Sequence, residues 1–518
     1  MNRTAIITLF ALLVLTCSAF ADLPVKGEIA LGYTYLDEEG NLAVNRGTRN
    51  LYEGVALSLN DFRYYLGHEL RLFANLRNVT LDNRNLVAGI SRPGHGALTI
   101  RHQQYRRIYD FDGDFATDRR NTSGNLWWRP IKQIKLFGGY GITDRSGDLV
   151  SLLDTLAADP TRPIDYQHTF THAGVSVYHQ RRNLTAQVRL SDYEDDTQSD
   201  RDRNTRRWRL SGASPLPRWD FVILNAGFQR YTAVHEDRDD SLIANTVWGG
   251  VRAYPGQGYN VRYSFVFDRS RRTGDLSATD NIINVITGGR TWRNRVGFEA
   301  GYHYEMTDDV LDERTGEGVT LSAWYRPIDR LTIRAGYGTD HDDFKNDHSL
   351  TGRRERDRHQ ASARYRIPAG SIRLAYRSKL TEYEDLGSEA DYNRYTADVY
   401  LESGRYGRVQ ADLSYAVGDY TNTDGDFSFR EYLASGELES PSYRGLRVGF
   451  GGTYMRAKRD LDIESFVVRM FFTYEFMPKY SLSGEYSAHN FDDFNDTVGL
   501  YRDYYTANVV QVSLSRRL

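Results

Sequence analysis

The chain has 518 residues, with 66 Lys+Arg against 69 Asp+Glu and a formal net charge of −3. This near balance produces no basic field, so a nucleic-acid partner is not indicated. The hydrophobic fraction of 40% is small for the several globular domains that this length suggests, and 12 Pro with 37 Tyr exclude a low-complexity disordered chain. A closed sheet with one apolar and one hydrated face would reconcile these facts.

The N-terminus predicts export from the cytoplasm. A positive charge precedes an almost wholly apolar run at residues 5–15, and Ala-Phe-Ala at residues 19–21 has the form of a cleavage site. We therefore expect residues 1–21 to be a signal peptide and residues 22–518 to form one domain. The only cysteine, Cys17, lies in the signal, so the mature chain would have no disulfide and no Cys-x-x-Cys-His haem attachment.

Hydrophobic residues alternate with polar ones through most of the remaining chain. Clear examples are Leu331–Tyr337, Arg295–Tyr302 and Leu446–Phe450. A period of two predicts strands whose two faces differ, and no segment keeps a helical period with caps. No later stretch approaches the ~18 consecutive apolar residues of a transmembrane helix, so a membrane protein of this composition could only be a barrel.

The predicted connections alternate between short turns and long, acidic loops. The longest loop is predicted at residues 143–164, and others at residues 194–202, 235–240 and 340–347. This alternation is typical of outer-membrane barrels, which have short periplasmic turns and long extracellular loops. Twelve predicted short turns lie at or near Asn60-Asp61, Pro93, Pro130, Arg181, Pro217, Pro255, Asn294, Pro327, Pro368, Gly404, Pro441 and Pro478.

Counting strands between these turns gives about 26, within a range of about 22 to 26. The first strand is predicted at about Lys26–Leu36 and the last at about Tyr504–Leu518. Aromatic residues close to the turns would form interfacial girdles; they are Trp127, Trp128, Trp219, Trp324, Tyr325 and Tyr480. A soluble β-propeller is the alternative, but its blade repeat of about 40–50 residues is not visible. The sequence therefore predicts an all-β, large antiparallel transmembrane β-barrel without a plug.

No catalytic set is visible, so we predict that the protein is not an enzyme. The 12 His are scattered, without a His-Glu-x-x-His motif. Acidic runs at residues 110–114 and 424–426 lack the full calcium-binding loop and its terminal Glu, and are interpreted as solvated loops. No metal or cofactor site is predicted in this chain.

The polar face supplies the candidate functional residues. If the apolar face contacts lipid, charged residues opposite to it would line the lumen, although each could equally belong to a structural ion pair. The candidate lumen-lining residues are Glu69, Arg71, Arg295, Glu299, Arg334, Arg373, Arg377, Arg447, Arg469 and Arg517.

The predicted size raises the question of what fills the barrel. Barrels of 16–18 strands already leave an aqueous channel, and 22-stranded ones are plugged. Only residues 22–25 would precede the first strand, so no plug is expected. The lumen would be narrowed by inward-folded loops or filled by another polypeptide, and a wall of mixed charge suits a protein surface. We expect a sheath around a separate partner.

Two ends of the chain carry a resemblance to a known family. The family is that of the outer-membrane porins that sheathe multihaem cytochromes, the MtrB/PioB type. Its N-terminal hairpins are similar to Leu76–Asn85, Pro93–Gly96 and Leu98–Tyr105, and its closing strand resembles Tyr505–Leu514. Strand exits of the form Tyr-x-x-x-Asp, at Tyr140–Asp144 and Tyr415–Asp419, fit the same pattern.

The resemblance implies a barrel of about 26 strands in the bacterial outer membrane, in contact with lipid and lipopolysaccharide. A periplasmic multihaem c-type cytochrome would lie in the lumen, with an extracellular cytochrome at the outer mouth. Haem would belong only to these partners. The chain departs from the family in ending at Leu518, where many barrels end in Phe, and in lacking an N-terminal Cys-x-x-Cys. The alternative function is a stand-alone diffusion porin for a hydrophilic or anionic solute.

Overall fold

The computed structural model describes residues 25–42, 52–67, 69–108, 116–150, 161–198, 201–235, 240–273, 278–309, 313–344, 353–423, 425–460, 462–494 and 504–518. The predicted signal peptide and the acidic run at residues 110–114 lie outside these ranges. Within them, no helix is long and apolar enough to cross a membrane.

The described residues form one sheet of 26 antiparallel strands that closes on itself. Each strand pairs with its sequence neighbours, and β1 pairs with β26 from Glu28–Arg517 to Gly40–Tyr505. The predicted antiparallel barrel of about 26 strands is confirmed. The strands are β1 (Val25–Gly40), β2 (Gly54–Leu66), β3 (Leu70–Arg77), β4 (Asn85–Arg92), β5 (Gly96–Ile108), β6 (Ala116–Ile131), β7 (Ile134–Val150), β8 (Thr161–His179), β9 (Arg182–Asp195), β10 (Arg203–Leu216), β11 (Trp219–His235), β12 (Asp240–Gly256), β13 (Tyr259–Arg272), β14 (Ala278–Trp292), β15 (Val296–Asp308), β16 (Glu313–Ile328), β17 (Leu331–Phe344), β18 (Arg354–Ile367), β19 (Gly370–Tyr383), β20 (Ser388–Ser403), β21 (Gly407–Asn422), β22 (Gly425–Glu439), β23 (Leu446–Arg459), β24 (Ile463–Met477), β25 (Tyr480–Asp493) and β26 (Tyr504–Arg517).

The closing seam between β1 and β26 contains the most deeply buried apolar cluster among the described residues. Tyr505, Ala507 and Val509 on β26 are buried, and Leu36, Leu42 and Phe491 pack against them. The Tyr505 hydroxyl donates a hydrogen bond to the Glu38 carboxylate at 3.0 Å. Packing and hydrogen bonding therefore reinforce the seam at the end where β1 finishes and β26 begins.

The turns at one end of the barrel are short because the chain adopts left-handed backbone there. Arg293 and Asn294, between β14 and β15, have φ of 46° and 54°. Such positive φ angles match the right-handed twist of the flanking strands in tight hairpins. The first and last described residues, Val25 and Leu518, lie at this short-turn end, which is the periplasmic end in an outer-membrane barrel.

Two hairpins begin with similar sequences, Trp-Trp-Arg-Pro-Ile at residues 127–131 and Trp-Tyr-Arg-Pro-Ile at residues 324–328, and they have the same irregularity. The strand register shifts between Trp128 and Ile131 in β6, and between Tyr325 and Ile328 in β16. Each shift contains a proline, Pro130 or Pro327. A proline has no backbone N–H, so inside a sheet it is tolerated at such a bulge.

One predicted turn is wrong, and the predicted loops at residues 143–164 and 340–347 are largely strand. Asn60 and Asp61 lie inside β2, at a bulge opposite β1, and the first short connection follows Leu66. Asp61 has a left-handed φ of 48°, which Asp tolerates. This backbone conformation occurs in β-bulges as well as in turns, so the sequence did not distinguish between them.

The predicted loop at 143–164 is shortened by β7, which continues to Val150, and by β8, which begins at Thr161. In the predicted loop at 340–347, residues 340–344 belong to β17, and residues 425 and 426 of the predicted acidic loop at 424–426 begin β22.

Directly paired residues share a face, so the register separates the two surfaces of the wall. One face is apolar and carries exposed side chains such as Leu374, Leu413 and Val448. A row of four tyrosines crosses this face on β19 to β22, with successive ring centroids 5.0, 6.3 and 5.0 Å apart. Its members are Tyr376, Tyr395, Tyr415 and Tyr432. Nearer the periplasmic end the same face carries Trp128 and Tyr325, as an interfacial girdle requires.

The assignment of faces can be tested with two neighbouring residues. Leu374 lies on the apolar face, and Ala375 on the other. We expect Leu374→Arg to lower the free energy of unfolding in lipid vesicles by about 1–2 kcal/mol, because it places a charge in hydrocarbon between the interface and the bilayer midplane, where the cost is highest. Ala375→Arg should cost much less, because its side chain enters a hydrated lumen. Urea unfolding followed by tryptophan fluorescence measures both, and equal losses would contradict the assignment.

Candidate functional site

The lumen wall is the candidate functional site, because the face opposite the apolar band is enclosed by the barrel. Its aromatic rings lie flat across glycines of the neighbouring strand. At Gly227, an added Cβ would come within 2.1 Å of the Trp248 ring. The same arrangement places Phe471 on Gly449, Phe137 on Gly174, Phe170 on Gly141 and Trp324 on Gly297. Glycine removes the side chain that would otherwise hold these rings away from the wall.

Arginines lie over several of the same rings. The guanidinium carbon of Arg189 is 4.6 Å from the centroid of Phe170, and that of Arg209 is 4.9 Å from Trp248. Cation–π contacts of this kind contribute about 0.5–2 kcal/mol, depending on how far they are desolvated. The aromatic rings thus hold cationic groups against the wall in defined positions. Further examples are Arg71 over Phe73, Arg326 over Trp324 and Arg469 over Phe471.

Near the extracellular end, two buried carboxylates organise an ion-pair cluster on β15 to β18. Asp342 accepts hydrogen bonds from Arg314 Nη2 at 3.0 Å and from Arg354 Nε at 2.7 Å. Asp340 accepts from Arg358, and His303 Nε2 lies 3.3 Å from its Oδ1. Each carboxylate thus has two basic neighbours. These contacts link β15 to β18 through their side chains and restrict the positions of the strands relative to one another.

Near the periplasmic end, β21 to β24 carry a second cluster. Glu437 accepts hydrogen bonds from Arg408 and Arg469. Glu439 lies 3.2 Å from Arg408 and 3.8 Å from Arg447. The two carboxylates and three arginines tie four neighbouring strands together across the lumen face.

Eight of the ten candidate lumen residues lie on this face. Arg447 and Arg469 belong to the periplasmic cluster, and Arg517 pairs with Glu475 at 2.7 Å. Arg71 donates to Ser91 Oγ at 3.2 Å. The other four, Glu299, Arg334, Arg373 and Arg377, are placed by the register on the same face.

The remaining two candidates lie in periplasmic turns. Glu69 precedes β3 and pairs with Arg92. Arg295 precedes β15, where it lies 3.9 Å from Asp329 and 3.4 Å from the Pro327 carbonyl. Both are exposed at the rim, and the candidates do not converge on a single point. A functional role for any of the ten stays a prediction.

Several lumen groups were not among the candidates. Arg189, Arg207 and Arg209 share one part of the wall on β9 and β10, and Trp127 and Trp324 face the lumen, although they were expected in a lipid-facing girdle. Alternation within β10 could have identified Arg207 and Arg209, since Trp208 lies between them and Leu210 follows. Their position opposite β9 required the register between strands. No group of three His, Cys, Asp or Glu in the described ranges could hold a metal ion.

Comparison with known proteins finds similarity in fold only. No protein family matches the sequence, and no curated protein is similar to it. The iron transporter FrpB from Neisseria meningitidis superposes with a TM-score of 0.51 and 8% identity, covering 96% of this chain and 82% of that one. The ferric preacinetobactin receptor BauA from Acinetobacter baumannii gives 0.50 and 8%, with coverage of 96% and 80%. The siderophore receptor PirA from Pseudomonas aeruginosa gives 0.50 and 11%, with coverage of 81% and 79%.

The fold is therefore that of large outer-membrane barrels, and these similar structures are receptors and a transporter. Their identity to this chain is too low to indicate a substrate.

The extracellular cluster yields a stability prediction. We expect Asp342→Asn to lower the free energy of unfolding by about 1–3 kcal/mol, because Arg314 and Arg354 would lose the carboxylate that both contact. Asp329→Asn is the matched control, because the Asp329 side chain is 97% exposed and 3.9 Å from its nearest arginine. Urea unfolding of the two variants measures the difference, and equal midpoints would show that the cluster does not stabilise the wall.

Proposed function

We propose that this protein is a bacterial outer-membrane sheath that holds a folded electron-transfer partner in its lumen. The observation that carries the proposal is the closed wall of 26 strands. With strands about 4.8 Å apart and tilted by about 40°, such a wall has a diameter of about 50 Å if its cross-section is circular. Subtracting the side chains on both sides leaves about 40 Å.

This width matches a protein domain better than a small solute. A compact domain of about 100 residues has a radius of gyration of about 13 Å, which corresponds to a sphere about 34 Å across. All 26 described strands belong to the wall, so none of them occupies the interior. An opening of this size would breach the permeability barrier of the membrane unless something filled it.

The partner that we propose is a periplasmic multihaem c-type cytochrome, with an extracellular cytochrome at the outer mouth. Its identity rests on the resemblance of Leu76–Tyr105 and Tyr505–Leu514 to the MtrB/PioB type. Electrons would pass between haems of the partner, while the wall insulates and positions them. The mixed-charge clusters at both ends of the lumen support a protein contact, since they offer donors and acceptors to a polar surface.

The second candidate is a stand-alone channel for anionic solutes. It is favoured by Arg189, Arg207 and Arg209 on β9 and β10, which have no carboxylate beside them. In this case the loops between strands would have to narrow the lumen.

Co-purification from native membranes separates the two candidates. The barrel is tagged, extracted in mild detergent and washed with salt, and its visible spectrum and a haem stain are recorded. We expect a c-type cytochrome in about one-to-one ratio with the barrel. A partner enclosed by the wall would have a large interface with it, and such interfaces remain associated during a salt wash. An unrelated tagged outer-membrane barrel from the same cells is the control.

A haem-free barrel that conducts ions in planar bilayers would contradict the sheath proposal and support the solute channel. A haem signal of equal size on the control barrel would also contradict it, because the association would then be non-specific.

A further inference from the structure

The lumen wall contains two arginines placed directly opposite each other. Arg189 on β9 pairs with Arg207 on β10, and His172 on β8 and Tyr231 on β11 complete this cross-strand row. Directly opposite side chains have Cβ atoms about 4.5–5.5 Å apart, and like charges at that distance are destabilising. Without a bound anion, the repulsion between the two arginines lowers the free energy of unfolding of the barrel.

The surroundings add donors and provide no compensating charge. In the next row, Arg209 lies between Gln187 and Gln229. On the lumen-facing positions of β8 to β11, the only carboxylate is Asp195, six residues beyond Arg189 on the same strand, or about 20 Å. None of the three arginines forms an ion pair with another described residue. We call Arg189, Arg207 and Arg209 the arginine patch.

The arginine patch is held in place by aromatic rings. Arg189 lies over Phe170, Arg209 over Trp248, and Arg207 lies 5.5 Å from the centroid of Tyr231. These contacts limit the rotamers that the guanidinium groups can adopt. Binding an anion would therefore cost less side-chain entropy than it would with free arginines.

A second opposed pair on the lumen wall has a different setting. Arg377 on β19 pairs with Arg394 on β20. Two rows away lie Asp398 and Asp412, which pair with each other. Carboxylates within this distance offset the positive charge.

Three further arginine pairs face each other on the lumen wall, Arg119–Arg145, Arg252–Arg262 and Arg364–Arg373. They have Asp195, Glu299 and Asp398, respectively, within two strands in the same or the next row. The Arg189–Arg207 pair is therefore the one that lies farthest from a carboxylate of the described lumen wall.

We propose that the arginine patch is a binding site for an oxyanion, a phosphate or carboxylate group that enters from the lumen. Planar guanidinium groups bind both groups through paired N–H···O bonds, and an anion between Arg189 and Arg207 relieves their repulsion. Two adjacent arginines favour a ligand with several negative oxygens. The inference does not depend on the sheath proposal, since the patch belongs to this chain alone.

The test is a calorimetric titration. Inorganic pyrophosphate is added at low salt to the purified full-length barrel in detergent, and the heat of binding is measured. We expect saturable binding that the double variant Arg189→Gln/Arg207→Gln weakens at least about tenfold.

Each single variant, Arg189→Gln or Arg207→Gln, loses one cation–π contact and also removes the like-charge contact. In urea unfolding, the double variant should therefore lose more stability than the two single variants added together, because the like-charge contact can be removed only once. Weaker binding together with this non-additivity is a result that a purely structural role would not give.

The matched control is Arg354→Gln/Arg408→Gln. It also removes two positive charges from the lumen, but Asp342 keeps Arg314 and Glu437 keeps Arg469. This control should retain pyrophosphate binding. The proposal is overturned if the wild-type barrel does not bind pyrophosphate, if both double variants lose binding equally, or if the stability losses of the two single variants add up to the loss of the double variant.

The source of the oxyanion is decided by repeating the salt wash of the native complex with the patch variant. Release of a partner polypeptide at lower salt would identify carboxylates on that partner as the ligand. Unchanged retention, with pyrophosphate still bound by the wild-type complex, would identify a diffusible anion.

Discussion

Closure of the sheet is the constraint on which the rest of the structure depends. Backbone N–H and C=O groups have no hydrogen-bond partners in hydrocarbon, so a spanning sheet must pair its first strand with its last. Here β1 and β26 pair over thirteen residue positions, from Glu28 to Gly40, and the seam is reinforced by Tyr505 and the residues that pack against it. Closure with this many strands produces a wide lumen. The function of the protein then depends on what occupies that lumen.

The two faces of the closed wall are built by different interactions. The outer face uses apolar side chains and cross-strand tyrosines, which need no partner except lipid. Aromatic rings lie on glycines on both faces, as Phe265 on Gly249 shows for the outer one. The inner face adds arginines over its rings and carboxylate clusters near both ends. Gly227 illustrates the requirement, because any Cβ there would collide with the Trp248 ring. Where a ring lies flat on a glycine, the side chains project less far into the lumen. The arginines over these rings are restricted to a few positions.

Much of this architecture could be predicted from the sequence, because alternation is a local signal. The period of two predicted the strands, the strand number and the two faces, and it placed Arg373 and Arg377 on the polar one. Local signals fail where the contact partner is distant in the chain. Asn60-Asp61 suits a turn or a bulge equally well, and only the pairing of β2 with β1 decides between them. Proximity to a turn suggested a girdle position for both Trp127 and Trp128, whereas alternation places these adjacent residues on opposite faces. The opposition of Arg189 and Arg207 depends on the register between strands, which alternation does not specify.

The central claim is that the lumen encloses a folded partner, and cysteine accessibility tests it most directly. Because the only natural cysteine is Cys17, a single cysteine introduced at Gln229 on the lumen wall can be labelled specifically. A second variant, Tyr406→Cys, reports a turn residue that is 74% exposed. The account predicts that a small maleimide labels position 406 in native membranes but labels position 229 only after the partner has been stripped away. Rapid and equal labelling of position 229 before and after stripping would contradict it.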